Sequence, residues 1–265
     1  MIVELSDFFN NPSLVSIGPL KIQYYAITWL LSAVFIYLYL RSNEIIIELG
    51  INDEKVNDLV FLYGLFIGAM CGGRVGYMLF YGSEQLLSNP LSLFYVWQGG
   101  LSFHGGLIGV VISFFIFAKK NNLDFFRLMD SVALSMPIGL GLVRIGNFLN
   151  GELYGKETNG DWGFIFPTDP YGLLRHPSQL YESLGEGIIL FGLLVFVNRI
   201  SKSHGVICSF FLIFYGLIRF VIEFFRQPDA HIGYVAYNFL SMGQILCIPM
   251  ILIGFIILFY SRKKA

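Results

Sequence analysis

Apolar stretches of about twenty residues recur along the chain and are separated by shorter polar segments. About 20 apolar residues are the length that a helix needs to cross the hydrocarbon core of a bilayer. The pattern therefore predicts an all-α polytopic membrane protein with about seven transmembrane helices. Their predicted bounds are Gln23–Leu40, Leu59–Tyr81, Leu101–Ala118, Leu128–Leu149, Leu180–Val197, Gly205–Phe224 and Phe239–Tyr260.

The connection after the fourth predicted helix, residues 150–179, is longer than the others. It is rich in glycine, proline and aromatic residues and contains one possible strand, Trp162–Phe166. We expect it to form a small periplasmic cap, inserted in a single integral membrane domain that covers residues 1–265.

The second predicted helix carries glycine at every fourth position, at Gly64, Gly68, Gly72 and Gly76. Glycine lets two helix backbones approach closely inside a bilayer. This row of glycines predicts tight packing of the second helix against a neighbour.

Lysine and arginine are unevenly distributed between the two sides of the predicted membrane. One set of connections holds Arg41, Lys55, Lys119, Lys120, Arg127, Arg199, Lys202, Arg262, Lys263 and Lys264, and the opposite set holds only Lys21, Lys156, Arg175 and Arg226. Positive residues favour the cytoplasmic side. We therefore expect the N-terminus and the cap outside and the C-terminus in the cytoplasm.

The composition supports a membrane protein and excludes several other classes. Charged residues make up only 13% of the chain, against about 25% in soluble domains. A net charge of −1 with no basic cluster gives no sign of nucleic-acid binding. The three cysteines, Cys71, Cys208 and Cys247, lie in apolar stretches without Cys-x-x-Cys spacing, so we expect lipid-buried thiols and not disulfides or metal ligands.

Three arginines, Arg74, Arg144 and Arg219, lie toward the predicted outer ends of three different helices. Each one alone could extend to the membrane interface without a chemical role. Their neighbours favour a shared site, because each of two helices presents polar residues on one face. Arg144, Asn147 and Gly151 are three and four residues apart, and Tyr215, Arg219 and Glu223 are four residues apart.

Two further residues raise questions that the spacing leaves open. Glu223 needs a partner in an apolar environment, and either Arg219 one turn away or an arginine on another helix could supply it. His104 lies among glycines and could accept a proton, bind a substrate or simply pack. The remaining histidines, His176, His204 and His231, lie in different loops, so we predict no zinc site.

The chain has no Gly-x-Ser-x-Gly elbow, no His-Glu-x-x-His zinc motif, no P-loop and no credible cysteine nucleophile. Arginine forks are suited to bidentate binding of phosphate. An enzyme with these residues would bind an anionic lipid head group and take its nucleophile from a second substrate.

Five blocks of sequence resemble the prolipoprotein diacylglyceryl transferase family. They are Gly72–Tyr77, Trp97–Gly106, Arg144–Gly155, Arg175–Glu182 and Arg219–Asp229, in that order along nearly the whole chain. The resemblance implies a multi-pass protein of the bacterial inner membrane. It implies transfer of the diacylglyceryl group of phosphatidylglycerol to the lipobox cysteine thiol of a preprolipoprotein, which forms a thioether and releases glycerol phosphate.

The resemblance also implies roles for individual residues, with no cofactor and no metal. It implies catalytic roles for His104, Arg144, Arg219 and Tyr25. It implies phosphatidylglycerol binding by Arg144, Asn147, Glu152, Gly155, Arg219 and Glu223. Ala26 stands where the family usually has glycine, so Tyr24 is an alternative to Tyr25 as the family's tyrosine. Whether His104 is a general base or a binding residue stays open.

Two other classes of function are compatible with a polar site in a membrane. A transporter or flippase for an anionic lipid or small molecule would need a path to the cytoplasmic side, and the polar residues cluster only toward the outside. A scaffold without activity would leave three arginines near the membrane without a purpose.

Overall fold

The computed structural model describes residues 2–4, 13–17, 20–160, 162–228, 233–236 and 240–264. His231, Asp229 and Phe239, the predicted start of the seventh helix, lie outside these residues.

Helices dominate the described chain, with a few short strands. The helices are α1 Tyr24–Ser42, α2 Glu44–Glu48, α3 Asp53–Phe80, α4 Ser83–Ser88, α5 Phe103–Lys120, α6 Phe125–Leu149, α7 Ser178–Ile200, α8 Val206–Ile222 and α9 Met242–Lys264. The strands are β1 Ile2–Glu4, β2 Ser13–Ile17, β3 Leu20–Gln23, β4 Gly163–Ile165, β5 Leu174–Arg175, β6 Tyr234–Ala236 and β7 Leu240–Ser241. Short 3₁₀ turns, Pro90–Phe94 and Val96–Gln98, precede α5, and π-type turns widen α3 over Asp58–Cys71 and α7 over Ser183–Ile189.

The predicted all-α polytopic membrane architecture is confirmed. Among the described residues, six helices are long and apolar enough to cross a bilayer, namely α1, α3, α5, α6, α7 and α9. The apolar helix α8 is shorter, with 17 residues. Helix α3, which corresponds to the second predicted membrane helix, begins at Asp53 and not at Leu59. The side chain of Asn52 accepts a hydrogen bond from the Lys55 N–H and so caps an added polar turn. All three cysteines are free, with Cys208 and Cys247 buried and Cys71 exposed.

The chain divides into two compact units, each described by itself. One unit comprises Met1–Leu38 with Val132–Ala265, and the other comprises Tyr39–Ser131.

In the unit Tyr39–Ser131, helices α3 and α5 pack through glycines, as the spacing in the second helix predicts. A Cβ atom added at Gly105 would lie 2.6 Å from the carbonyl oxygen of Gly72 and 2.8 Å from the Cα of Gly76. Two backbones in direct contact leave no room for a side chain.

In the other unit, residues 150–177, which we call the cap segment, connect α6 to α7 and pack against both helices. Strand β4 pairs in parallel with β1 and antiparallel with β5. Phe148 of α6 and Phe166 form a buried aromatic core. The predicted strand Trp162–Phe166 is thus present as Gly163–Ile165, and the cap is attached to α6 by apolar packing.

We expect Gly105→Ala to destabilise the protein by about 1–3 kcal/mol, because the added methyl group overpacks the α3–α5 contact. Thermal unfolding in detergent measures the change. Gly192→Ala in α7 is the matched control, since a Cβ there meets nothing within 4 Å. Equal melting temperatures for both variants would contradict the close packing.

Candidate functional site

Helix α7 carries two buried carboxylates near its N-terminal end. Glu182 and Glu186 are four residues apart, and both are fully buried. An ionised carboxylate without a partner is costly in a membrane interior. The site is therefore defined by the cations that surround these two residues.

Glu182 contacts three arginines, two through its Oε2 and one through its Oε1. Its Oε2 lies 2.7 Å from Arg144 Nε on α6 and 2.6 Å from Arg219 Nη1 on α8. Its Oε1 accepts a hydrogen bond of 3.1 Å from Arg226 Nη1. A single carboxylate of α7 thus connects α6, α8 and the segment that follows α8.

Glu186 shares two of these arginines but is held less closely. Its Oε1 accepts a hydrogen bond of 3.2 Å from Arg219 Nη1, and its Oε2 lies 3.8 Å from Arg144 Nε. The second guanidinium nitrogen of Arg219, Nη2, lies 2.9 Å from Glu223 Oε2. Of the two partners that the sequence allows for Glu223, the structure selects Arg219 one turn away. The Ser241 hydroxyl also donates to Glu223.

A branch of this network connects the end of α6 to the cap. Arg144 Nη1 donates to the Asn147 side-chain oxygen at 3.3 Å, and Asn147 Nδ2 donates to Glu152 Oε1 at 2.8 Å. The backbone carbonyl of Glu152 in turn accepts from the buried amide of Gln179 on α7. The predicted residues Arg144, Asn147 and Glu152 therefore form one continuous chain of polar contacts.

Gly155 lies where the cap meets the chain after α8. Its backbone forms an antiparallel bridge with Arg226, and its N–H donates to the carbonyl of His176 at 2.8 Å. A Cβ atom there would lie 2.6 Å from the carbonyl oxygens of both His176 and Phe225. Glycine is required at this position by the close approach of two backbone segments.

Tyr25, in the first turn of α1, packs against α6. A Cβ atom at Gly146 would lie 3.3 Å from the Tyr25 ring, and the same ring stands edge-on to Trp29 with centroids 6.1 Å apart. Gly146 is the residue before Asn147, so Tyr25 lies beside the polar segment of α6. Tyr24 is also half-buried.

His104 and Arg74 belong to the unit Tyr39–Ser131. His104 is exposed in the first turn of α5, where Ser102 caps the helix by accepting from the Gly105 N–H. Its ring stands edge-on to Phe103. The His104 side chain is thus exposed at the start of α5.

Arg74 is buried and binds backbone carbonyls of the segment before α5. Its Nε donates to Leu93, its Nη2 to Ser92 at 2.6 Å, and its Nη1 to Gly99 and Gly100. One guanidinium thus fixes the residues that lead into the turn bearing His104. The contacts give Arg74 a structural role in this unit.

An open apolar groove of about 430 Å³ runs between α7 and α8. It is lined by Tyr181, Leu184, Gly185, Ile189, Leu217, Ile218, Val221 and Ile222. Tyr181 and Gly185 directly precede Glu182 and Glu186 in the chain, so the groove and the charges share the same two turns of α7.

A family model described as prolipoprotein diacylglyceryl transferase matches residues 12–260. The chain belongs to the prolipoprotein diacylglyceryl transferase family. The resemblance found in the five sequence blocks is confirmed.

Three relatives of this transferase are named phosphatidylglycerol–prolipoprotein diacylglyceryl transferase. The protein of Pseudomonas entomophila is 46% identical over 257 residues, which cover 96% of this chain and 95% of that protein. The protein of Pseudomonas fluorescens Pf-5 is 46% identical over 259 residues, 96% of each chain. The protein of Ectopseudomonas mendocina is 43% identical over 254 residues, 96% of this chain and 95% of that protein.

Sequence reasoning did not single out Glu182 and Glu186 as site residues of this transferase family member. The available signal was a pair of glutamates four residues apart in the apolar stretch Leu180–Val197. An unpaired acid in such a stretch marks a functional site by default. Arg226 was likewise counted only as a loop residue, although it is buried and pairs with Glu182.

The cap of this transferase contains its own buried ion pair, Asp169 with Arg175. Arg175 donates to both carboxylate oxygens, from Nε at 2.8 Å and from Nη2 at 3.0 Å. Burial alone would raise the pKa of Asp169, but hydrogen bonds from Arg175 and from the backbone N–H groups of Leu173 and Tyr171 hold it below its ordinary value of 3.8. The ionised form of Asp169 therefore stabilises the cap.

We expect Glu182→Gln to lower the free energy of unfolding by about 3–5 kcal/mol, because removing one member of a buried ion network leaves its partners uncompensated. Thermal unfolding in detergent measures the loss. Glu84→Gln, at an exposed carboxylate of α4, is the control and should change stability by less than about 0.5 kcal/mol. A Glu182→Gln variant as stable as the control would show that the three arginines do not need this anion.

We expect the cap to lose stability when Asp169 is protonated. Because the folded pKa lies below the unfolded value, this stabilisation is complete above about pH 4 and is lost as the pH falls through the folded pKa. Pepsin cleavage within residues 150–177 should therefore rise in wild type as the pH falls from about 4 to about 2. Asp169→Asn, which has no carboxylate to protonate, should be cleaved readily at both pH values. An Asp169→Asn profile identical to wild type would refute this contribution.

Proposed function

We propose that this protein transfers the diacylglyceryl group of phosphatidylglycerol to a cysteine thiol of prolipoproteins, the first step of bacterial lipoprotein maturation. The support is membership of the transferase family together with a buried arginine–glutamate cluster beside an apolar groove. The acceptor is the lipobox cysteine that follows the signal helix of the secreted precursor.

The arginine cluster supports phosphate binding. Arg144 and Arg219 are 19% and 12% exposed, so each is mostly enclosed but still reachable. In the described structure Arg144 uses Nε and Nη1 for its contacts, which leaves Nη2 free to bind a phosphate oxygen. The adjacent groove between α7 and α8 has the apolar lining that acyl chains require.

The reaction breaks the bond between the glycerol carbon and a phosphate-ester oxygen. The cysteine sulfur forms a thioether with that carbon, and the departing oxygen remains on glycerol phosphate. Negative charge grows on this oxygen in the transition state, and fixed guanidinium groups stabilise it most strongly in an environment from which water is excluded. Arg144 and Arg219 have this role in the proposal, and Asn147 orients Arg144.

The thiol must also lose its proton. His104 is exposed in the first turn of α5, and histidine is the most frequent general base of enzymes. In the proposal His104 either takes this proton or binds the acceptor, and Tyr25 lies beside α6 as a further polar contact.

Both substrates are membrane-bound, so the site opens sideways to lipid as well as outward to water. The excess of lysine and arginine on one side supports a cytoplasmic C-terminus and a periplasmic cap at residues 150–179 in the bacterial inner membrane. A transporter or flippase is the weaker alternative, because the family is one of transferases.

The deciding experiment incubates purified protein with phosphatidylglycerol and a lipobox peptide, followed by mass spectrometry. A diacylglyceryl adduct on the cysteine, absent when the peptide carries serine at that position, is the expected result. Movement of phosphatidylglycerol between leaflets without any adduct would favour the flippase instead.

We expect Arg144→Lys to lower turnover by roughly ten- to a hundredfold at unchanged lipid concentration. Lysine keeps the charge but cannot contact Glu182, Asn147 and phosphate at the same time, and a lost charged hydrogen bond is worth about 1.5–3 kcal/mol. The adduct assay gives the rate, and Arg199→Lys, at the end of α7 far along the chain from the cluster, is the matched control. Equal rates for the two variants would assign Arg144 a role in packing alone.

A further inference from the structure

The cluster is electrically balanced before any substrate enters. Within the part of the chain that the structure describes, ion pairs connect three arginines, Arg144, Arg219 and Arg226, with three glutamates, Glu182, Glu186 and Glu223. Phosphatidylglycerol carries one negative charge on its phosphodiester. Its binding to this cluster would leave one uncompensated negative charge in a buried place, which is strongly unfavourable.

Glu186 is the carboxylate that a phosphate most easily displaces. The distance from Arg219 Nη1 to Glu186 Oε1 is 3.2 Å, whereas the distance from the same nitrogen to Glu182 Oε2 is 2.6 Å. The distance from Arg144 Nε to Glu186 Oε2 is 3.8 Å, whereas the distance from the same nitrogen to Glu182 Oε2 is 2.7 Å. Its Oε2 is buried, and the cation paired with it, Arg144 Nε, lies 3.8 Å away. Both arginines therefore hold Glu186 less closely than they hold Glu182.

If phosphate binds Arg144 and Arg219, no other described group close to Glu186 can supply a positive charge in their place. The titratable and charged groups that face it belong to four helices and are Arg144 on α6, Glu182 on α7, Tyr215 and Arg219 on α8, and Cys247 on α9. The tyrosine and the cysteine are neutral or negative, and Glu182 is a like charge one turn away. Once phosphate occupies the guanidinium groups, Glu186 can remain in its apolar surroundings only as the neutral acid.

We infer that Glu186 takes up a proton when the phosphate of a lipid binds to Arg144 and Arg219, so that lipid binding and protonation of this buried carboxylate are one event. The inference rests on the proposed function and adds to it a positioning residue, which acts through the arginines and does not touch the reacting atoms. The proton comes from the outer aqueous side, and no covalent bond changes in this step.

Proton-coupled binding has a defined signature. If one proton enters with each lipid, the apparent affinity for phosphatidylglycerol falls by up to about tenfold per pH unit as the pH rises. Glu186→Gln removes the proton site and one negative charge, so its affinity should be independent of pH. At about pH 9 it should bind phosphatidylglycerol more tightly than wild type, whereas loss of a purely structural glutamate would weaken binding.

The experiment uses the full-length protein in nanodiscs of phosphatidylcholine with increasing fractions of phosphatidylglycerol. Titration calorimetry in buffers of different ionisation enthalpy counts the protons taken up for each lipid bound, between about pH 6 and about pH 9. We expect close to one proton in wild type and in the exposed-site control Glu84→Gln, and close to none in Glu186→Gln.

Proton uptake by the wild-type protein tests the inference even if a variant does not fold. Binding of phosphatidylglycerol without proton uptake, or unchanged uptake in Glu186→Gln, overturns the inference. The adduct assay on the same samples separates this failure from failure of the proposed function. Adduct formation with no proton uptake refutes the role of Glu186 alone, whereas proton-coupled binding without adduct refutes the transferase and leaves the binding step intact.

Discussion

The structure of the unit that contains α6, α7 and α8 depends on the burial of the Glu182 carboxylate among three guanidinium groups. Ionised groups are stable in a low-dielectric interior only when oppositely charged partners lie at contact distance. Glu182 brings Arg144, Arg219 and Arg226 within 3.1 Å of one side chain. The relative positions of two transmembrane helices and of the segment after α8 follow from this requirement.

The same cluster is connected to residues 150–177. Arg226 reaches Glu182 with its side chain and pairs with Gly155 through its backbone. Arg144 reaches Glu152 through Asn147. Two independent connections therefore join the buried charges to residues 150–177, and the cap is held by them as well as by the packing of Phe148 and Phe166.

Much of this architecture could be predicted because it depends on local sequence. Apolar stretches of membrane length predicted the helices, and glycine at every fourth position predicted that α3 packs closely against a neighbour, which is α5. The three-residue spacing of Arg144 and Asn147 predicted that they share a helix face, where they form a hydrogen bond. Glu182 and Glu186 were missed because their partners lie on α6 and α8, more than thirty residues away in the chain. Contacts between helices do not follow from spacing within one helix. The role of Arg74 was undecidable for the same reason, since its partners are backbone carbonyls of residues 92–100.

The chain order of the cluster has a consequence for biosynthesis. Arg144 is made first, then Glu182 and Glu186 on α7, and Arg219 and Arg226 last. When α7 leaves the ribosome, its two acids have only one of their arginines available, and an unpaired charge makes the insertion of a membrane helix costly. Only five residues, 201–205, separate α7 from α8. Helices α7 and α8 therefore enter the bilayer most favourably as a pair, because Arg219 of α8 and Arg226 directly after it neutralise the acids of α7.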